Sequence, residues 1–175
     1  YEEIKLKGAY NITIDKKSDD RGFFARLWDY NEFKNLGLNT NIVQCNVAFT
    51  KKQGTLRGLH FQKNPYSETK LLRCTKGSIF NVLVDLRETS PTYLQWDSLI
   101  ISEENYKMRY IPKGFANGVM SLEDNCELFY QVTEFYNPDA ESGIRWDDPS
   151  INIEWPQPPS YVSKKDQSWK FLPIQ

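Results

Sequence analysis

Apolar side chains recur at every second position in several short runs of the chain. Phe80, Val82, Val84 and Leu86 alternate with Asn81 and Asp85, and Tyr106, Met108 and Tyr110 alternate with Lys107 and Arg109. Leu128, Tyr130 and Val132 alternate with Phe129 and Gln131, and Ile151, Ile153 and Trp155 with Asn152 and Glu154. Side chains of an extended chain point alternately to opposite faces, so this period of two predicts strands with one buried face. Further strand-like runs lie at 22–28, 42–49, 55–61 and 70–74. Turn formers separate the runs: Lys76-Gly77, Pro112-Lys113-Gly114 and Asn137-Pro138. A helix is predicted at 31–36, capped by Asp29 or Asn31 and closed by Gly37. From Pro156 onward the chain is rich in Pro, Ser and Lys and is expected to wrap the surface. With no repeat and no linker, the pattern predicts one all-β domain over residues 1–175, an antiparallel sandwich or barrel.

Length and charge narrow the classes of function. At 175 residues the chain is long enough to bury a real core. A formal net charge of −1, with Lys and Arg scattered, argues against nucleic acid or an anionic membrane as partner. No apolar run reaches spanning length, and no signal pattern opens the chain. Cys45, Cys74 and Cys126 lack metal-ligand spacing and read as free thiols in a reducing cytoplasm. An aromatic content of 14% suits a β-rich core or a stacking surface.

The chain contains one histidine, His60, inside Thr55-Leu56-Arg57-Gly58-Leu59-His60-Phe61-Gln62. Imidazole is the side chain best suited to exchanging a proton near neutral pH. A lone imidazole cannot supply the His-rich ligand set typical of metal sites in small β-barrels, and no acidic loop has a calcium-binding rhythm. Neither a Gly-x-Ser-x-Gly turn nor a phosphate-cradling glycine loop occurs. Proton transfer remains. The candidates are His60 as base, Tyr130 as acid on an inward strand face, Lys70 as fixed cation and Asp166 as orienter of the imidazole. A carbon acid beside a carbonyl needs such a set: one group removes the proton, a cation holds the enolate oxygen, and an acid returns a proton from the other face. Each candidate also has a plainer reading, as a core tyrosine, a strand-edge lysine or a turn aspartate.

An ordered series of motifs extends the picture. It runs through Asp20-Arg21-Gly22-Phe23-Phe24, Gln44-Cys45-Asn46, Leu56-Arg57-Gly58-Leu59-His60-Phe61-Gln62 and Lys70-Leu71-Leu72-Arg73-Cys74. It continues with Val84-Asp85-Leu86-Arg87, Ser90-Pro91-Thr92, Ile111-Pro112-Lys113-Gly114-Phe115-Ala116, the stretch from Tyr130 to Tyr136, Glu141-Ser142-Gly143-Ile144-Arg145-Trp146 and Trp155-Pro156. In these motifs, from about Asp20 to Asp166, the chain resembles the dTDP-4-dehydrorhamnose 3,5-epimerases. The resemblance implies a cupin-like jelly roll, a double-sheet antiparallel barrel with short helices. It implies epimerisation at C3 and C5 of a nucleotide-diphosphate-linked 4-keto-6-deoxy sugar, in cytoplasmic deoxysugar and polysaccharide biosynthesis. It implies a homodimer with strand exchange, and no metal or organic cofactor.

By the same resemblance His60 is the general base, Asp166 its dyad partner, Tyr130 the acid across the sugar ring and Lys70 the cation that steadies the enolate. Arg21, Phe24, Gln44, Asn46, Arg57, Tyr136 and Glu141 match positions around nucleotide, diphosphate and sugar. Asn117 stands where the family usually has His; Arg26 and Ala48 also depart from the family's usual residues. Arg57 and His60 are three apart, which on a regular strand sends them to opposite faces; a bulge at Gly58 would bring both inward. Three other readings stay open. They are a single-site epimerase on another nucleotide sugar (GDP- or CDP-linked, for example), a 4-keto sugar ketoisomerase, and a non-catalytic sugar-binding jelly roll.

Overall fold

The structure, a computed structural model, describes residues 1–172. Its strands in chain order are β1 (Glu2–Glu3), β2 (Tyr10–Thr13), β3 (Lys16–Asp19), β4 (Gly22–Ala25), β5 (Gln44–Thr50), β6 (Thr55–Gln62) and β7 (Lys70–Lys76). They continue with β8 (Ser78–Asp85), β9 (Trp96–Ser102), β10 (Lys107–Ile111), β11 (Phe115–Ser121), β12 (Cys126–Val132), β13 (Glu141–Gly143) and β14 (Tyr161–Val162). Helix α1 is Tyr30–Asn35 and helix α2 is Lys164–Gln167.

One sheet has the order β1-β2-β10-β7-β12-β5 and the other β13-β6-β11-β8-β9, with β14 added beside β6. From β5 to β12 successive strands change sheets at every step except β8 to β9, which gives the jelly-roll path. The predicted double-sheet all-β architecture is therefore present, of the cupin-like kind. It is a sandwich rather than a closed barrel. The pairing is antiparallel throughout except that β14 runs parallel to β6.

The core has three layers because both sheets are covered on both faces. Between the sheets lie Leu72, Cys74, Ile79, Leu83, Ile111 and Leu128, among others. The opposite face of the first sheet carries Ile12, Leu71, Met108 and Tyr110, closed over by Phe33 of α1. The opposite face of the second carries Leu59, Val82, Val84 and Ala116, closed over by Ile144 and Ile151. Neighbours such as Leu71 and Leu72 thus serve different layers, as alternation requires.

This covering changes the expectation of one buried face per strand. Asn81 and Asp85, read as the polar side of β8, are fully buried, and so is Arg109 in β10, which forms an ion pair with Asp97. The run 151–155 forms no strand. Asn152 sits at φ +53° and donates its N–H to the Asp148 carbonyl, so the chain turns there. Burial still alternates along it, with Ile151 inward and Asn152 and Glu154 outward. The run from 22 reaches only Ala25 and pairs with β3 in a separate exposed hairpin. Helix α1 forms one residue early, with Asp29 as its cap, accepting from the N–H groups of Asn31 and Glu32. The stretch after Pro156 does more than wrap the surface: it supplies β14 and α2. Its last three residues, 173–175, lie outside the described residues.

Candidate active site

Strand β6 builds one wall. Opposite it on β11, Asn117 pairs with His60 and Val119 with Arg57, so β6 carries one residue more than its partner between these points. That is the bulge expected at Gly58, which sits at φ +140°. A Cβ at Gly58 would lie 2.6 Å from the Gly118 Cα, so only glycine fits this approach. Arg57 and His60 consequently line one cavity of about 380 Å³, together with Lys70, Asn117, Tyr130 and Asp166.

Asp166 reaches the cavity from α2. Ser163 caps that turn by accepting the Asp166 N–H at 3.0 Å. The Asp166 carboxylate is buried and lies 2.6 Å from His60 Nε2, and the Gly58 N–H approaches its other oxygen at 3.4 Å. Burial pushes the Asp166 carboxyl up, but the His60 hydrogen bond and charge and the Gly58 N–H outweigh it and hold it below its ordinary value. An ionised carboxylate on Nε2 keeps a proton there and leaves Nδ1 as the basic nitrogen.

Lys70 opens β7 with its ammonium 2.8 Å from Glu68 Oε1. Glu68 also accepts from Gln62 Nε2 at 2.9 Å. Sequence reading passed over Glu68, although residues two apart on an extended chain share a face. Tyr130 stands on β12 between Asn46 of β5 and Leu72 of β7. Burial raises the Tyr130 phenol, the Glu68 charge raises it further and Arg57 opposes, so the hydroxyl holds its proton and can donate it. Arg57 donates to Thr50 Oγ1 at 3.3 Å and to the Phe49 carbonyl at 3.2 Å, which fixes its guanidinium at the rim.

A second lobe of about 380 Å³ shares His60, Lys70 and Tyr130 with the first and adds Gln44, Asn46, Tyr136 and Glu141. Tyr136 donates its hydroxyl to Glu141 at 2.7 Å and its N–H to Gln44 at 2.8 Å. Burial pushes the Glu141 carboxyl up, but Lys165 at 2.6 Å and the Tyr136 hydroxyl hold it below its ordinary value. Lys165 lines the first lobe and was also missed, though it adjoins Asp166 in sequence.

The structure thus gathers His60, Lys70, Tyr130, Asp166, Arg57, Asn117, Gln44, Asn46, Tyr136 and Glu141 around one two-lobed cleft. It does not bring Arg21 and Phe24 there. Both lie on the exposed β3–β4 hairpin, where Arg21 pairs with Asp19 at 2.6 Å. Arg26 is likewise outside, facing Asp29 at 3.6 Å, whereas Ala48 lines the first lobe. Among the described residues no three His, Cys, Asp or Glu side chains group as metal ligands would.

Residues 3–173 match the family described as dTDP-4-dehydrorhamnose 3,5-epimerase. A relative of that name from Methanothermobacter thermautotrophicus is 42% identical over 173 residues, covering 97% of this chain and 92% of its own. The crystal structure of dTDP-4-dehydrorhamnose 3,5-epimerase from Bacillus anthracis, with TDP and PPi bound, superposes with a TM-score of 0.94 at 39% identity, covering 97% of both chains. A 3'-monoepimerase from Streptomyces bikiniensis in complex with dTDP-quinovose superposes with a TM-score of 0.90 at 27% identity, covering 98% of this chain and 87% of its own.

Proposed function

The chain belongs to the dTDP-4-dehydrorhamnose 3,5-epimerase family, and from that premise we propose how its cleft inverts a dTDP-linked 4-keto-6-deoxy sugar at C3 and C5. It is an isomerase of deoxysugar biosynthesis. The 4-keto group acidifies the hydrogens on its two neighbouring carbons. His60 removes one of them through Nδ1, and Asp166 stabilises the imidazolium that forms. Negative charge moves to O4, where the Lys70 ammonium stabilises the enolate. Tyr130 returns a proton from the opposite face of the ring, which inverts the centre. Before the second centre reacts, His60 releases its proton to solvent and Tyr130 takes one back; the cycle then repeats after the ring shifts. Gln44, Asn46, Arg57, Tyr136 and Glu141 hold the nucleotide and diphosphate; guanidinium suits a diphosphate because it offers paired donors. The observation that carries this reading is the 2.6 Å His60–Asp166 contact opening on a cavity that Lys70 and Tyr130 also line.

Arg21 and Phe24 enter through a second copy of the chain. In a homodimer that exchanges a strand, the exposed β3–β4 hairpin of each protomer reaches its partner's cleft. Phe24, 62% exposed, then stacks on the base and Arg21 meets the phosphates. Free Cys45, Cys74 and Cys126 support a reducing cytoplasm.

A narrower reading, inversion at C3 alone, is favoured by two observations: the likeness to a 3'-monoepimerase, and Asn117 where an imidazole is usual. Incubation with dTDP-4-keto-6-deoxyglucose in deuterium oxide separates the two. Label at both C3 and C5 is expected; label at one carbon favours the narrower enzyme. The His60→Ala protein, still folded, should lose about 10³-fold or more of the exchange rate. Normal exchange in that variant, or no label from the parent protein, overturns the proposal.

A further inference from the structure

Resting on the function proposed above, we infer that Asn81, buried behind the cavity wall, is a positioning residue that locks the Asn117 carboxamide with its NH₂ group turned into the cavity, where it donates to an oxygen of the sugar. Asn81 lies on β8 directly opposite Val119 of β11, and Asn117 occupies the same face of β11 two residues away. Asn81 is fully buried. Its Nδ2 lies 3.0 Å from the Gly118 carbonyl oxygen and 2.6 Å from Asn117 Oδ1.

Simple chemistry fixes both orientations. A carbonyl oxygen only accepts, so the end of the Asn81 carboxamide facing Gly118 is its nitrogen. That same nitrogen faces Asn117, and two NH₂ groups do not approach to 2.6 Å, so Asn117 turns its oxygen inward. The Gly118 carbonyl is available because the β11 register against β6 shifts between Asn117 and Val119. The other end of the planar Asn117 amide is then the NH₂, and Asn117 lines the cavity beside its cross-strand partner His60.

An unrestrained carboxamide can present either end to a ligand; this one presents a neutral donor only. A donor at that point selects an acceptor oxygen and contributes no charge that would compete with His60 or Lys70. The oxygen belongs to the sugar. Asn117 lies across the strands from His60, the base proposed to reach the ring carbons, and lines the lobe with Asp166, whereas Gln44, Tyr136 and Glu141 line the other lobe.

Asn81→Asp tests the lock. A carboxylate cannot donate to Gly118 or to Asn117 Oδ1, so the Asn117 amide should turn, offering its nitrogen to residue 81 and its oxygen to the cavity. The expected result is an about tenfold rise in Kd for dTDP-glucose, a non-reacting analogue, with Kd for dTDP unchanged within about twofold. Unaltered dTDP binding also reports that the variant is folded. Should Asn81→Asp fail to fold, Asn117→Asp keeps the bond from Asn81 and replaces only the cavity-facing NH₂; the same split is expected. Equal weakening of both ligands, or an unchanged Kd for dTDP-glucose in folded variants, overturns the inference. Exchange of the Asn117 side-chain NH₂ with solvent, read by NMR, gives a second measure: fast in the parent protein, slow in Asn81→Asp. Equal rates overturn the lock. A parent protein that binds neither dTDP nor dTDP-glucose overturns the proposed function instead, and the exchange rates still decide the lock.

Discussion

In the proposed mechanism a single imidazole performs the proton chemistry, and neighbouring residues set its geometry. Asp166 holds one ring nitrogen at 2.6 Å and is itself kept ionised by that bond and by the Gly58 N–H. Asp166→Asn keeps the shape but removes the charge that stabilises imidazolium, and kcat is expected to fall about 10³-fold with KM changed far less. Steady-state kinetics on the 4-keto sugar checks this; a KM effect without a kcat effect would assign Asp166 to binding. Tyr130 acts later. Burial and Glu68 raise its phenol, which keeps it protonated until the enolate draws the proton; as the returning acid it predicts that Tyr130→Phe slows net inversion more than the first exchange of substrate hydrogen. Comparing deuterium wash-in with product formation measures the two rates, and equal losses would remove Tyr130 from the acid role. His60, Tyr130 and Lys70 were legible as chemical types before any geometry. Glu68, Lys165 and Asn81 were not, because a side chain that acts through another has no signature in its own residue type.

At the level of elements, a polar turn closes the end of β8, a strand of the same sheet as β6. Asp85, at the end of β8, is fully buried and accepts from Arg87, Ser90 and Thr92 at 2.6 to 2.8 Å. Burial pushes its carboxyl up, but those bonds outweigh it and hold it far below its ordinary value of 3.8. A depressed folded pKa stabilises the fold above the unfolded value, and that stability is lost as pH falls through the folded pKa. Asp85→Asn should therefore melt lower than the parent at pH 7, by roughly 4–8 °C for a loss of about 2 kcal/mol. The gap should begin to narrow below about pH 4, where the carboxylate protonates in the unfolded chain, and go on closing as pH falls toward the depressed folded value. Thermal melts at several pH values check this, and a constant gap down to acid pH would show that the charge is not what stabilises the turn. The strands themselves were legible where apolar alternation was strong. The run 151–155 had the same alternation and forms no strand: the chain turns at Asn152, and alternate burial needs only a path beside a core, not a ladder partner. Arg109 erred the other way: its charge read as solvent-facing, yet the second sheet and Asp97 enclose it.

For the whole molecule, the exposed hairpin carrying Arg21 and Phe24 stands outside its own cleft, so the proposed dimer is open to a direct test. Mixing His60→Ala protein with an Arg21→Ala/Phe24→Ala variant, after subunit exchange, should restore activity in roughly a quarter of sites, since half of a random mixture is hybrid and each hybrid has one intact cleft. No recovery after verified exchange would return both residues to a structural role in their own chain. The amino-acid sequence alone determined the all-β class, most of the strands, the capped helix, the bulge at Gly58 and the candidates for proton transfer. These follow from periodicity, turn preference and side-chain chemistry, which act over a few residues. Only the tertiary structure decided that His60 meets Asp166 across 106 positions, that Arg109 and Asn81 are interior, and that the cleft has two lobes. Those outcomes depend on which strand faces which across the sandwich, and local pattern does not encode that pairing.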